Sequence, residues 1–113
     1  MEVEIPLKPI SVNKAFQGRR FKTKDYKVFE KQAYYFLPTV DKVKGWVDVW
    51  YEFGLIPTSF GISDTGNMEK CLTDVLVKKG YIDDDRKIIN LHLKKVRAKK
   101  FYTKIKILPT NGE

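Results

Sequence analysis

The chain has 113 residues, 42% of them hydrophobic and 13% aromatic, with 22 Lys and Arg against 14 Asp and Glu for a net charge of +8. That length carries one core and not two, which makes residues 1–113 a single domain. The composition excludes disorder, and no apolar run approaches the ~18 residues of a membrane span. The cationic excess points to a polyanionic partner, without separating DNA from RNA or an acidic membrane surface. A lone cysteine, Cys71, excludes an internal disulfide and reads as a buried thiol in a reducing compartment, so a cytoplasmic protein is expected.

In chain order, Glu2 to Lys8 alternates with Val3, Ile5 and Leu7 on one face and predicts a strand, placed at a sheet edge by Pro6 and Pro9. Residues 10–23 read as a loop carrying Asn13, Lys14, Arg19, Arg20 and Lys22. From Lys14 to Lys31 there are seven basic residues and two acidic ones, with Phe16 and Phe21 interleaved. That mixture suits an arm that contacts phosphates and offers aromatics to bases; the alternative is that both rings pack on the core. Tyr26, Phe29, Ala33, Phe36 and Leu37 keep helical spacing from Lys24, with Thr23 as cap and Pro38 as stop. Trp46 to Phe53 alternates strictly, a strand whose second face carries Trp46, Asp48, Trp50 and Glu52. A Gly-, Pro- and Ser-rich loop, residues 54–63, then delivers the chain to Asp64.

The stretch Ser63 to Ile89 carries the chemistry. Met68, Leu72, Val75 and Leu76 form one apolar helical stripe, and Asn67, Lys70 and Asp74 form a polar column beside it. Asp64 or Thr65 can cap this helix, and Gly80 can end it in a left-handed conformation. Past that end come Asp83, Asp84 and Asp85, three adjacent carboxylates in a basic chain. Their repulsion is offset either by cationic side chains in a solvated turn or by a bound cation. In the second case Asp64 and Asp84 or Asp85 would approach one another, ligate a hard cation such as Mg²⁺ through oxygen, and have Lys70 nearby.

Arg86 to Val96, with Ile89, Leu91 and Leu93 inward, and Phe101 to Leu108 read as a β-hairpin joined by a basic turn. Lys94, Lys95, Arg97, Lys99, Lys100, Lys104 and Lys106 occupy its outer face and tip, a surface suited to phosphates. His92 is expected to be exposed and without a role, and residues 109–113 to be a disordered tail. The order β-α-β-α-β-β predicts an α/β (α+β) fold: a two-layer domain, a mixed β-sheet with two helices on one side.

Asp64, Asn67, Lys70, Asp74, Leu76, Asp84 and Asp85 stand in an order and spacing that resembles the RusA family of Holliday junction resolvases. That family's pattern runs Asp-x-Asp-Asn, a Lys three residues on, Asp-x-Leu, then Asp-Asp before a strand. The opening IPLKPISVNKAF, with Asn13, also looks like that family's start. One position departs: the second aspartate of Asp-x-Asp is Gly66 here, one carboxylate fewer. The resemblance implies a homodimer, and a two-fold pair of sites suits a four-way junction that must be cut on two strands.

The expected activity is Mg²⁺-dependent hydrolysis of branched DNA, with Mn²⁺ able to substitute. Asp64 and Asp85, with Asp84 as auxiliary, are the expected metal ligands, and Lys70 is the catalytic cation. Asn67 and Asp74 orient them. Asn13, Lys14, Arg19, Arg20, Lys22, Arg97, Lys99 and Lys100 are the expected DNA contacts. Two other readings stand beside it: a non-catalytic binder of branched DNA whose metal site has decayed at Gly66, and a small basic RNA-binding protein.

Overall fold

The computed structural model describes residues 1–17 and 21–111. Arg19 and Arg20, both expected DNA contacts, lie outside them. A four-stranded mixed sheet carries the fold, with β1 (Glu2–Ile5), β4 (Val47–Leu55), β5 (Ile88–Arg97) and β6 (Tyr102–Pro109) in the order β1-β6-β4-β5. Between β1 and β4 come a single helical turn, α1 (Val12–Ala15), a two-stranded ribbon of β2 (Phe16–Gln17) and β3 (Phe21–Lys22), and the helix α2 (Lys24–Phe36). Between β4 and β5 come a second short turn, α3 (Pro57–Phe60), the long helix α4 (Thr65–Lys79) and a 3₁₀ turn, Asp85–Lys87.

β4 is the central strand, and its alternation fixes the layers. Val47, Val49, Tyr51 and Phe53 are buried against the helices, where they meet Tyr26, Phe29 and Ala33 of α2 and Met68, Cys71, Leu72, Val75 and Leu76 of α4. Each of the larger aliphatic and aromatic side chains stabilises by ~1.5–3 kcal/mol through burial, and truncating Leu72 to alanine costs ~2–5 kcal/mol. Both helices end as the sequence predicts. Thr23 accepts from the N–H of Tyr26, and Gly80 closes α4 with a left-handed φ of 87°. In the core, the Tyr51 hydroxyl shares a 2.8 Å hydrogen bond with Thr73, and burial pushes the Cys71 thiol up to about 11.

The expected hairpin does not form. β5 lies parallel to β4 on one side and β6 antiparallel to it on the other, so the two strands never pair with each other. The α4 crossover forces the first arrangement, since a strand–helix–strand unit returns parallel. The connection Ala98 to Phe101 then steps over the end of β4, where the N–H of Ala98 donates to Leu55 O at 2.9 Å. Gly54 makes room: a Cβ there would collide with the Tyr102 ring, which lies across the strand and whose hydroxyl donates to Glu52.

Three smaller expectations also give way. Residues 10–23 are not all loop, because they hold α1 and the ribbon. Ile89 and Leu91 are each 37% exposed, since β5 is an edge strand that α4 covers only in part. Pro109 closes β6, and the N–H of Thr110 donates to Trp46 O, so the described part of the tail is held to the sheet. Among the described residues no helix is long and apolar enough to cross a membrane.

Candidate active site and nucleic-acid interface

Asp64 is placed by the end of β4 and the start of α4. As N-cap its Oδ1 accepts from the N–H of Gly66 at 2.8 Å and of Asn67 at 3.3 Å, which fixes the carboxylate at the positive end of the helix dipole. Asn67 thus orients Asp64 through its backbone. Both residues line a groove of about 540 Å³ whose opposite wall is built by Asn13 and Lys14 from the amino-terminal arm, together with Lys8, Asp25 and Gln32. Burial and then the charge of Lys14 hold the Lys8 ammonium below its ordinary value.

Lys95 underpins this end of the site. It rises from β5 opposite Phe53, and its ammonium donates to Phe60 O at 2.7 Å and Ser63 O at 3.2 Å. Arg97 lies 4.0 Å over the Phe60 ring, and the exposed Lys99 and Lys100 follow in the connection to β6. Lys22 is spent elsewhere, 3.3 Å from Glu30 and over the Tyr26 ring.

The acidic triplet separates into three roles. Asp83 is structural: it accepts from the N–H of Gly45 at 2.8 Å and pairs with Lys42 at 3.2 Å. Asp84 caps the 3₁₀ turn and binds the Arg86 guanidinium at 3.2 and 3.3 Å, which holds its carboxyl far below the usual range. Asp85 is exposed, and its hydrogen bond with Asp84, burial, and the charges of Asp84 and Asp74 push it up. Two of the three carboxylates are therefore met by cationic side chains, as the solvated-turn reading expects.

Within one chain the expected metal ligands do not meet. Asp64 stands before α4 and Asp84 and Asp85 after it, and a helix of fifteen residues is about 22 Å long. The parallel β4–β5 crossover puts the two ends of α4 at opposite ends of the sheet. Among the described residues no three His, Cys, Asp or Glu are grouped so as to hold a metal ion, so the donors of a single chain do not fit Mg²⁺. The exposed Lys70 and Asp74 lie along α4; burial first, then the charges of Asp74 and Asp85 against that of Lys70, leave the half-buried Glu69 raised.

Lys8, Asp25, Gln32 and the supporting role of Lys95 escaped the sequence reading. Lys8 and Asp25 are separated in sequence from Asp64, and only the arm's return across the helices joins them. For Lys95 a signal existed, because a parallel crossover puts the end of β5 beneath the start of α4.

The two-layer sheet-and-helix frame thus sets a capped aspartate in a groove whose charged lining is Lys8, Lys14, Asp25 and Asp64. Residues 57–108, from the start of α3 almost to the end of β6, match the family model Endodeoxyribonuclease RusA. The amino-terminal arm, with Asn13 and Lys14, lies outside the match. No curated protein matches the chain.

Proposed function

We propose that the protein is a metal-dependent endonuclease that cuts four-way DNA junctions as a homodimer. The observation that carries this reading is the groove that Asp64, within the family-matched segment, lines together with Asn13, Lys8 and Lys14. Lys8 and Lys14 on one wall and Arg97, Lys99 and Lys100 at the same end of the sheet bind phosphates without reading sequence. Asp64, held by the helix N–H groups, keeps a fixed orientation toward the bound strand.

The length of α4 supports a second copy. An antiparallel pair of β5 edges through the uncharged half, Ile88 to Leu93, sets the start of one β5 beside the end of the other. Asp84 and Asp85 of one chain then approach the Asp64 end of its mate, and two equivalent sites arise from one two-fold axis. Asp64 with Asp85, and Asp84 as auxiliary, would hold Mg²⁺ or Mn²⁺ there. When bound, such a cation supplies Lewis acidity and an activated water for phosphodiester hydrolysis. Lys70 faces charge that grows on the phosphate oxygens, with Asp74 positioning it.

Gly66, and the absence of a three-donor group among the described residues of one chain, favour as second reading a binder of branched DNA that does not cut. Incubating the full chain with a synthetic four-way junction, with and without Mg²⁺ or Mn²⁺, decides between them. Paired, metal-dependent nicks establish the nuclease, and a stable complex without nicks establishes the binder.

A further inference from the structure

The loop between α3 and α4 presents an isoleucine to solvent. Ile62 is 85% exposed, two residues before Asp64. A single exposed apolar side chain is ordinary on a protein surface. What sets Ile62 apart is how firmly its backbone is held. Its N–H donates to Ser59 O, the N–H of Ser63 donates to the same carbonyl at 3.0 Å, and the Lys95 ammonium binds the carbonyls of Phe60 and Ser63 on either side. The loop therefore cannot readily fold the side chain back, and it projects beside the groove wall that carries Asp64.

Cations stand on both of its flanks, with Asp64 and Asp25 deeper in the groove. Lys95 and Arg97 lie 4.7 and 4.0 Å over the Phe60 ring on one side, and the groove with Lys8 and Lys14 opens on the other. A second copy docking over Ile62 would bring another surface of net charge +8 against these four cations, whereas a polyanion would be drawn to them. The occupant that fits an apolar tip in a cationic frame is the base stack of a nucleic acid whose phosphates meet the rim.

We propose that Ile62 is a wedge that enters between two bases of bound DNA next to the backbone held at Asp64. Apolar side chains inserted between base steps unstack them and kink the duplex. At a branch point stacking is already interrupted, so insertion costs less there than in a continuous duplex. The wedge thereby favours branched DNA, a selectivity that phosphate contacts cannot supply. The proposal rests on the DNA reading of the groove.

The test uses the full chain in EDTA with a four-way junction carrying 2-aminopurine at the branch point, and a linear duplex as control. Binding of the unmodified protein is expected to raise the fluorescence several-fold. Ile62→Ala should abolish most of the rise and lower the preference for junction over duplex while duplex affinity stays the same; Ile62→Met should restore the rise. Because the side chain is exposed, both variants should melt with the unmodified protein. Junction binding without a fluorescence rise, or an equal rise with Ile62→Ala, overturns the wedge and leaves the DNA reading intact. No saturable binding to either DNA overturns both.

Discussion

Asp64 and Asp85 flank α4, one capping its first turn and the other following its last, with the helix and the parallel crossover between them. The proposed dimeric site draws these two carboxylates to one phosphate from different chains. Asp64→Asn and Asp85→Asn should each abolish cleavage while junction binding is kept. Mixed dimers of the two inactive variants contain one site with both aspartates intact, and they should nick one strand of the junction. A mixture as inactive as its parents would place both carboxylates of each site within a single chain.

At Gly66 the backbone is not left-handed, since the positive-φ glycines among the described residues are Gly45 and Gly80. The conformation therefore tolerates a side chain, and a Cβ there would stand 3.3 Å from Asp64 Oδ1, a close but movable neighbour. Gly66→Asp restores the carboxylate that the family pattern has at this place. It should lower the Mg²⁺ concentration for half-maximal cleavage, because a hard cation gains an anionic ligand in exchange for water. The melting temperature should hold or rise, as an acidic residue in the first turn suits the helix dipole and glycine is the poorer helix former. A folded variant with an unchanged metal requirement would put Gly66 away from the metal.

Junction binding should weaken steeply with salt. If the groove and the sheet end neutralise ~6–10 phosphates, affinity falls ~10³–10⁵-fold between about 50 and 200 mM salt. Lys14→Ala should reduce the slope of log affinity against log salt by about 1, whatever the DNA sequence. A flat dependence would make these lysines mere solvation.

Glu30 joins α2 to α4 and reports on folding through pH. Its carboxylate accepts from Lys78 at 3.0 Å and Lys22 at 3.3 Å. Burial pulls its pKa upward, but the two ammonium groups outweigh burial and hold it below the ordinary 4.5. A carboxylate lowered on folding stabilises above its unfolded value, and that contribution fades as pH falls through the folded one. Glu30→Gln should cost on the order of 1 kcal/mol near neutrality, the partly exposed pairing being screened. The gap between the two melting temperatures should close below about pH 4.5. A gap independent of pH would mean that Glu30 acts through packing alone.

Much of this was legible in the chain. Thr23, Asp64 and Gly80 announce the helix ends because capping is local chemistry, and the two-residue period of β4 names its buried face. Period reveals a strand's face but not its neighbours, so β5 and β6 read as a hairpin when β4 lies between them. The same blindness hid the site's geometry. Spacing along the sequence places Asp64 and Asp85 around one helix, and only the parallel crossover shows that they are held apart. His92 illustrates a smaller gap: it stacks on Trp50 with ring centroids 4.9 Å apart and planes 9° apart, a contact set by strand register.

The placement of β4 between β5 and β6 also bears on how the chain acquires its structure during synthesis. Both partners of the central strand, and the sole partner of β1, follow α4 in the chain. While a ribosome is still making residues before Ile88, β1 and β4 have no strand to pair with, and their apolar faces depend on the helices alone. Domains generally fold as units once their segments have emerged. Here the unit closes only when Tyr102 to Pro109 slides between β1 and β4, so a stall or truncation before that strand leaves two open sheet edges and a chain prone to aggregate.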